Sequence, residues 1–239
     1  MSKDSEIILV TKNAPTIHFD SSDYIHFYED NNDAWKDEVL RGASFVDRWL
    51  AEKDNTIVQF IPYIVCMTTE GRILAYQRKG GGEGRLEGKH SIGIGGHVNT
   101  CDVEEYKRFV NKDGHHVSVP IATWNVVTNG AIREVEEELH IDKGYAKENL
   151  IELGIIYTPS DEGSDKVTAV PAVGEVHIGI IYGLLVHDKI TTQVSEGLIR
   201  PRFINEAMTS QHKFENWSKL ILQNMDEAKR IYKKKSTNE

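Results

Sequence analysis

The chain of 239 residues carries 28 Lys+Arg against 37 Asp+Glu, a formal charge of −9 with His neutral. Such a field repels polyanions and excludes sequence-independent binding of a nucleic acid polymer. Hydrophobic residues at 39% and charged residues at 27% exclude a disordered or fibrous chain and, at this length, favour one sizeable core with an appended segment.

The leader MSKDSEIILVTK has only four consecutive apolar residues between charges, so it is not read as a signal peptide. Two cysteines, Cys66 and Cys101, with no CxxC spacing fit a reducing compartment, and a cytoplasmic location is expected. Trp35, Val39, Leu40, Phe45, Val46, Trp49 and Leu50 recur at roughly helical spacing over Asp33 to Glu52. This predicts one or two short helices, broken at Gly42, in an N-terminal extension over residues 1–54. From Thr56 the pattern turns to strands: IVQFIPYIVCM, the turn TTEGR and ILAYQRK read as a hairpin.

After the glycine-rich GGGEGRLEGK, the segment HSIGIGGHV predicts a strand ending in the Gly95-Gly96 turn. Asn99 to Asn125 reads as a surface insertion with a small helix, Val103 to Val110, and an NKDGHH turn. TNGAIREVEEELHI has helical period, with Thr128 or Asn129 as N-cap and Lys143-Gly144 as the stop. Strands around Leu150 to Tyr157 and Glu175 to Val186 enclose the acidic loop YTPSDEGSDK. The longest apolar run, Ile178 to Val186, is far below the ~20 residues of a membrane helix, so no membrane partner is expected. An amphipathic helix from Phe214 to about Lys233 closes the chain, with Phe214, Trp217, Leu220, Ile221, Met225, Ala228 and Ile231 on one stripe.

The helix after the insertion carries the chemistry. With Glu134 at zero, Glu137 falls near −60° and Glu138 near +40°, so three carboxylates share an arc of roughly 100°. Like charges at this spacing repel unless a cation neutralises them, and hard oxygen donors suit Mg²⁺, with Mn²⁺ as the other candidate. Arg133, one turn from Glu137, can orient its carboxylate.

Residues 133–141, REVEEELHI, resemble the core of the Nudix box, G-x5-E-x7-R-E-U-x-E-E-x-G-U with U aliphatic. Gly95-Gly96 matches the glycine turn that precedes this helix in the family. Three features depart from the pattern. Asn125 stands where the first box glutamate falls, and His140 stands where the box glycine falls. The spacing from Gly96 to Arg133 exceeds the family's by about two dozen residues, a surface insertion of tolerable entropic cost. An acid of the insertion, Asp102, Glu104 or Glu105, could replace the missing glutamate. QRKGGGEGRLEGKHSIGIGGHVN, VGEVHIGIIY and FENWSKL resemble a Nudix branch described only as predicted phosphoesterases.

The resemblance implies an α/β fold, a Nudix-type α/β/α sandwich with a mixed β-sheet, with the domain over residues 55–206, an insertion at 99–125 and a C-terminal helix over 207–239 packed on it. It implies a pyrophosphohydrolase acting on a small-molecule diphosphate, such as a nucleoside diphosphate derivative, in which Mg²⁺ is held by Glu134, Glu137, Glu138 and a carbonyl of Gly95 or Gly96. Glu137, Glu138 and Arg133 are its catalytic candidates. A silent nucleotide-sensing module of the same fold is the alternative, against which the intact Arg-Glu-Glu-Glu set argues; a homodimer is left open.

Arg78, Arg85 and Lys89 form a basic cluster among glycines that fits a phosphate contact, and His97 and His177 could face a polyphosphate. For the general base, a glycine-hinged loop offers Asp161, Glu162 and Asp165; Glu162 is preferred, with Glu175 as the alternative.

Overall fold

The structure is a computed structural model that describes residues 6–12, 23–29, 34–54, 56–79, 86, 88–110, 112–113, 115–159, 173–192 and 194–237. Its centre is β4 (Val58–Met67), ten residues that are almost all buried. Period-two alternation splits them between two cores: Val58, Phe60, Ile64 and Cys66 face one side, Tyr63, Val65 and Met67 the other. β11 (His177–Leu185) pairs with β4 in parallel, which explains why both read as near-continuous apolar runs. β5 (Ile73–Arg78), β10 (Ile151–Tyr157) and β12 (Leu198–Ile204) extend the sheet antiparallel. The sheet is therefore mixed.

Helices cover both faces. On one side lie α1 (Ala34–Leu40), α3 (Trp124–Leu139) and α4 (Lys143–Asn149), which contribute Val39, Val127, Ala131, Val135, Leu139 and Ala146 to the first core. On the other lie α5 (Asn216–Gln223) and α6 (Met225–Ser236), which contribute Ile221, Met225, Ala228, Ile231 and Tyr232 to the second. The expected α/β/α sandwich with a mixed sheet is what the chain adopts.

The element reading needs four corrections. The two short helices expected over Asp33 to Glu52 are present as α1 and α2 (Arg48–Ala51), but the N-terminal extension also holds strands that were not expected: β1 (Ile7–Thr11), β2 (Tyr24–Phe27) and, between the helices, β3 (Ser44–Asp47). β1 pairs with β3 and β4, and β2 with β10, so the sheet takes up parts of the leader and, in β3, Phe45 and Val46, whose spacing alone had looked helical. The insertion holds a hairpin, β8 (Tyr106–Val110) with β9 (His116–Pro120), instead of a helix over Val103 to Val110. Cross-strand pairing with His116–Pro120 outweighs the weak local pattern.

The carboxylate helix starts at Trp124 with Thr123 as N-cap and ends at His140, while Lys143-Gly144 open the next helix. Val127, Ala131, Val135 and Leu139 are buried at strict four-residue spacing, so packing extends the helix into a Trp-Asn-Val-Val stretch of poor propensity. His140 caps it left-handed, with φ 54° and ψ 32°, the conformation that glycine adopts most easily after a helix. The closing helix is two helices, interrupted at Asn224. Among the described residues, no helix is long and apolar enough to cross a membrane.

The short strands β6 (His90–Ser91) and β7 (Gly93–Ile94) pair with β5 and β4 and deliver the Gly95-Gly96 turn beneath the carboxylate face of α3.

Candidate active site

Gly95 and Gly96 form the floor. A Cβ on Gly95 would lie 1.8 Å from the Pro62 carbonyl oxygen, and one on Gly96 would lie 2.5 Å from Glu134 Oε1. Only glycines let this backbone touch both the sheet and the helix carboxylate.

Arg133 organises what stands above the floor. Its Nε donates to Asp102 Oδ1 at 2.8 Å, and Nη2 donates to Asp102 Oδ2 at 3.2 Å and to the His97 carbonyl at 2.9 Å. Nη1 donates to Glu134 Oε1 at 2.6 Å and to Glu137 Oε2 at 3.0 Å. All five donors of the guanidinium are engaged. Arg133 thus fixes Glu134 and Glu137 and has no donor left for a ligand.

Asp102 is the acid that faces Arg133 from the insertion. Its side chain is 2% exposed, and it closes a capping box in which Asn99 N donates to Asp102 Oδ2 and Cys101 N donates to Asn99 Oδ1. Asn125, at the position of the absent box glutamate, lies in the first turn of α3.

Glu134 is buried, and desolvation pushes its carboxyl up to about 7; the Arg133 charge and hydrogen bond oppose this, while Glu137 and Glu138 add to it. Glu138 accepts from the Ser195 hydroxyl, and its carbonyl accepts from Ser195 N at 2.8 Å. Glu137 is 55% exposed, so leaving Arg133 would cost it only what a surface ion pair contributes, about 0.2–1 kcal/mol.

These groups line a cavity of about 530 Å³, together with Arg78, His97, His177, Tyr63 and Trp217. Among the described residues its lining holds five glutamates (Glu6, Glu134, Glu137, Glu138 and Glu215) against three arginines (Arg48, Arg78 and Arg133). The His177 ring donates through Nδ1 to the Val173 carbonyl at 2.6 Å, which leaves Nε2 as the acceptor nitrogen of its neutral form. His97 Nε2 meets Gln59 Oε1 at 2.8 Å, and the two imidazoles lie 5.5 Å apart.

A hard divalent cation fits this donor set: three carboxylates and a glycine turn that keeps a Cβ out of the Glu134 carboxylate. Among the described residues no three metal-ligating side chains are already gathered into one cluster; Glu134 and Glu137 share Arg133 Nη1, while Glu138 is engaged by Ser195. Binding would draw Glu137 and Glu138 from these partners.

No family model matches the chain. Over 230 residues it is 29% identical to Protein YmaB of Bacillus subtilis (strain 168), a match spanning 93% of this chain and 98% of that protein. It superposes on the crystal structure of Tm1382, "a putative Nudix hydrolase", with a TM-score of 0.59 and 22% identity over 92% of this chain and 98% of that one. The chain has the Nudix fold. Within this Nudix scaffold the box-like stretch occupies the C-terminal half of α3 and its cap.

Of the candidates from sequence, Gly95, Gly96, His97, Arg133, Glu134, Glu137, Glu138, Arg78 and His177 line one cavity. Lys89 and Glu175 do not: the Lys89 carbonyl accepts from Arg78 N at 3.0 Å, and the Glu175 carbonyl accepts from the Tyr157 hydroxyl at 3.2 Å. Arg85, Asp161, Glu162 and Asp165 lie outside the described residues.

Sequence reasoning missed Glu6, Arg48 and Glu215. Glu6 accepts from Arg48 Nη1 at 2.9 Å and from Asn99 Nδ2 at 3.3 Å, a link made only when β1 joins the sheet. Of the three insertion acids considered from sequence, Asp102 meets Arg133, whereas Glu104 and Glu105 are exposed.

Proposed function

We propose that the protein is a divalent-cation-dependent hydrolase of the Nudix kind that cleaves a diphosphate linkage in a small molecule such as a nucleoside diphosphate derivative. The observation that carries this reading is an acidic cavity in which a saturated Arg133 holds Glu134 and Glu137, with Glu138 beside them on Ser195, next to the Gly95-Gly96 turn. With glutamates outnumbering arginines, a polyanionic substrate would be repelled unless a cation were bound there.

Glu134, Glu137, Glu138 and a carbonyl of the glycine turn would hold Mg²⁺, or Mn²⁺ in its place. When bound, the cation polarises phosphorus and lowers the pKa of water. The chain supplies the remainder. Arg78, with His97 and His177 nearby, orients the phosphates for in-line attack. Water oxygen bonds to one phosphorus, the bridging P–O bond breaks, and the bridging oxygen leaves on the other phosphate. Among the described residues the water's proton falls to Glu138, since Glu175 is outside the cavity.

The test is a screen of nucleoside diphosphate derivatives, dinucleoside polyphosphates and non-nucleotide pyrophosphates, read as phosphate released after phosphatase coupling. Turnover with Mg²⁺ that EDTA and Glu137→Gln both abolish is expected. Tight binding without turnover of any compound would favour the silent sensing module.

A further inference from the structure

Two sequence segments, QRK around Arg78 and FENWS around Glu215, meet on one wall of the cavity. Glu215 is buried at the N-cap of α5, yet its side chain makes no capping bond to that helix. It turns inward instead. Its Oε1 accepts from the hydroxyls of Tyr63 at 2.8 Å, Ser91 at 2.5 Å and Ser218 at 3.2 Å, all buried contacts. Ser218 Oγ is itself fixed by Ile92 N at 3.0 Å. With one oxygen pinned by three hydroxyls, the other is held in place, and it lies 3.0 Å from Arg78 Nε.

Two arginines of this cavity, Arg133 and Arg78, are used differently. Arg133 spends every donor on protein acceptors, whereas Arg78 meets Glu215 through Nε alone, with its side chain 29% exposed. An arginine and a carboxylate that only satisfied each other would pair in a two-pronged fork. Here the contact is single and off-axis, since Nε has no well-aligned hydrogen-bond partner. No described residue accepts from the terminal nitrogens of Arg78, and they belong to a residue lining the cavity.

We infer that Glu215 is a positioning residue: it holds Arg78 by Nε so that the outer edge of the guanidinium grips a phosphate oxyanion of the substrate. This rests on the hydrolase reading for the identity of the ligand. The buried hydroxyls disperse the Glu215 charge, so the arginine remains attractive to an anion. The N-cap hydrogen bond that Glu215 does not make to α5 is the structural cost of this arrangement.

Imidodiphosphate, a pyrophosphate analogue whose bridging nitrogen resists hydrolysis, separates binding from turnover. Its affinity with Mg²⁺ is measured by calorimetry for wild type, Glu215→Gln, Arg78→Ala, Arg78→Lys and the double variant Arg78→Ala/Glu215→Gln. Glu215→Gln should weaken binding about tenfold in the wild-type background and less than about twofold when Arg78 is already alanine. Arg78→Lys, lacking the fork, should not restore it.

Equal weakening in both backgrounds, or none in either, overturns the inference. If Glu215→Gln loses its cooperative melt, Tyr63→Phe, which removes one hydroxyl from the same oxygen, takes its place in the comparison with the same expected non-additivity. A protein that couples Arg78 to Glu215 in binding but turns over no diphosphate fails the hydrolase reading and supports this one.

Discussion

Replacing Asp102 by Asn tests how the metal-helix arginine is held. Asp102 takes two of the five hydrogen bonds of Arg133 and also accepts from Asn99 N. The pair is 2% and 14% exposed. Asparagine keeps one oxygen acceptor but turns an amide N–H₂ either toward both Arg133 Nη2 and Asn99 N–H or, in the other flip, toward Arg133 Nε, all of them donors. Breaking a buried ion pair costs about 3–5 kcal/mol. Because Glu134 and Glu137 remain on Nη1, about 2–3 kcal/mol is expected. At roughly 2–4 °C per kcal/mol for a chain of this size, the melting temperature should fall by about 4–12 °C. Scanning calorimetry measures it, with Asn99→Ala separating the cap, worth about 1 kcal/mol. Mg²⁺-dependent kcat/KM should fall at least about tenfold, since a loosened Arg133 no longer orients Glu134 and Glu137. A fall of less than about 2 °C with unchanged kinetics would refute the role assigned to Asp102.

Four further outcomes are expected. His140→Gly should raise the melting temperature by about 1–4 °C, because glycine adopts the left-handed cap without the penalty on histidine; a decrease would contradict this. His90 is pushed below the ordinary imidazole pKa by desolvation, then by His212 and Arg202. A depressed histidine contributes stability above its unfolded pKa and loses it as pH falls. Chemical denaturation should therefore show stability dropping from pH 7 toward pH 5, a slope that His90→Phe reduces. Glu138→Gln should lower kcat by about 10²–10⁴-fold and remove the acidic limb of the pH profile if it is the base; if Glu162→Gln does so instead, the acceptor is in the loop. Lys89→Ala should leave KM unchanged at low ionic strength while Arg78→Ala raises it, and equal kinetics would assign Arg78 to solvent.

What the sequence disclosed was governed by local period. Ile132, Val135 and Leu139 against Glu134, Glu137 and Glu138 mark a two-faced helix, and the apolar runs around Phe60 and Ile180 mark strands buried on both sides. The same logic misled where tertiary pairing decides the outcome. Phe45 and Val46 have helical spacing but pair with Leu9 and Ile8 across β1 and β3, which no local window contains. Trp124 to Val127 are poor helix formers that packing turns into the first turn of α3. At the site, the three glutamates and Arg133 are neighbours in sequence and thus legible. Asp102 meets Arg133 from 31 residues away, and Glu215 meets Tyr63 from 152. Only the assembled fold brings such partners together.

The most direct test is a calorimetric titration of Mg²⁺ into the wild type, Glu134→Gln, Glu137→Gln and Lys89→Ala. Three carboxylates converging on one cavity predict saturable uptake by the wild type and by Lys89→Ala, strongly weakened in both glutamate variants. Uptake that is the same in all four proteins, or absent from the wild type, would contradict the assignment of α3 as the metal-holding helix.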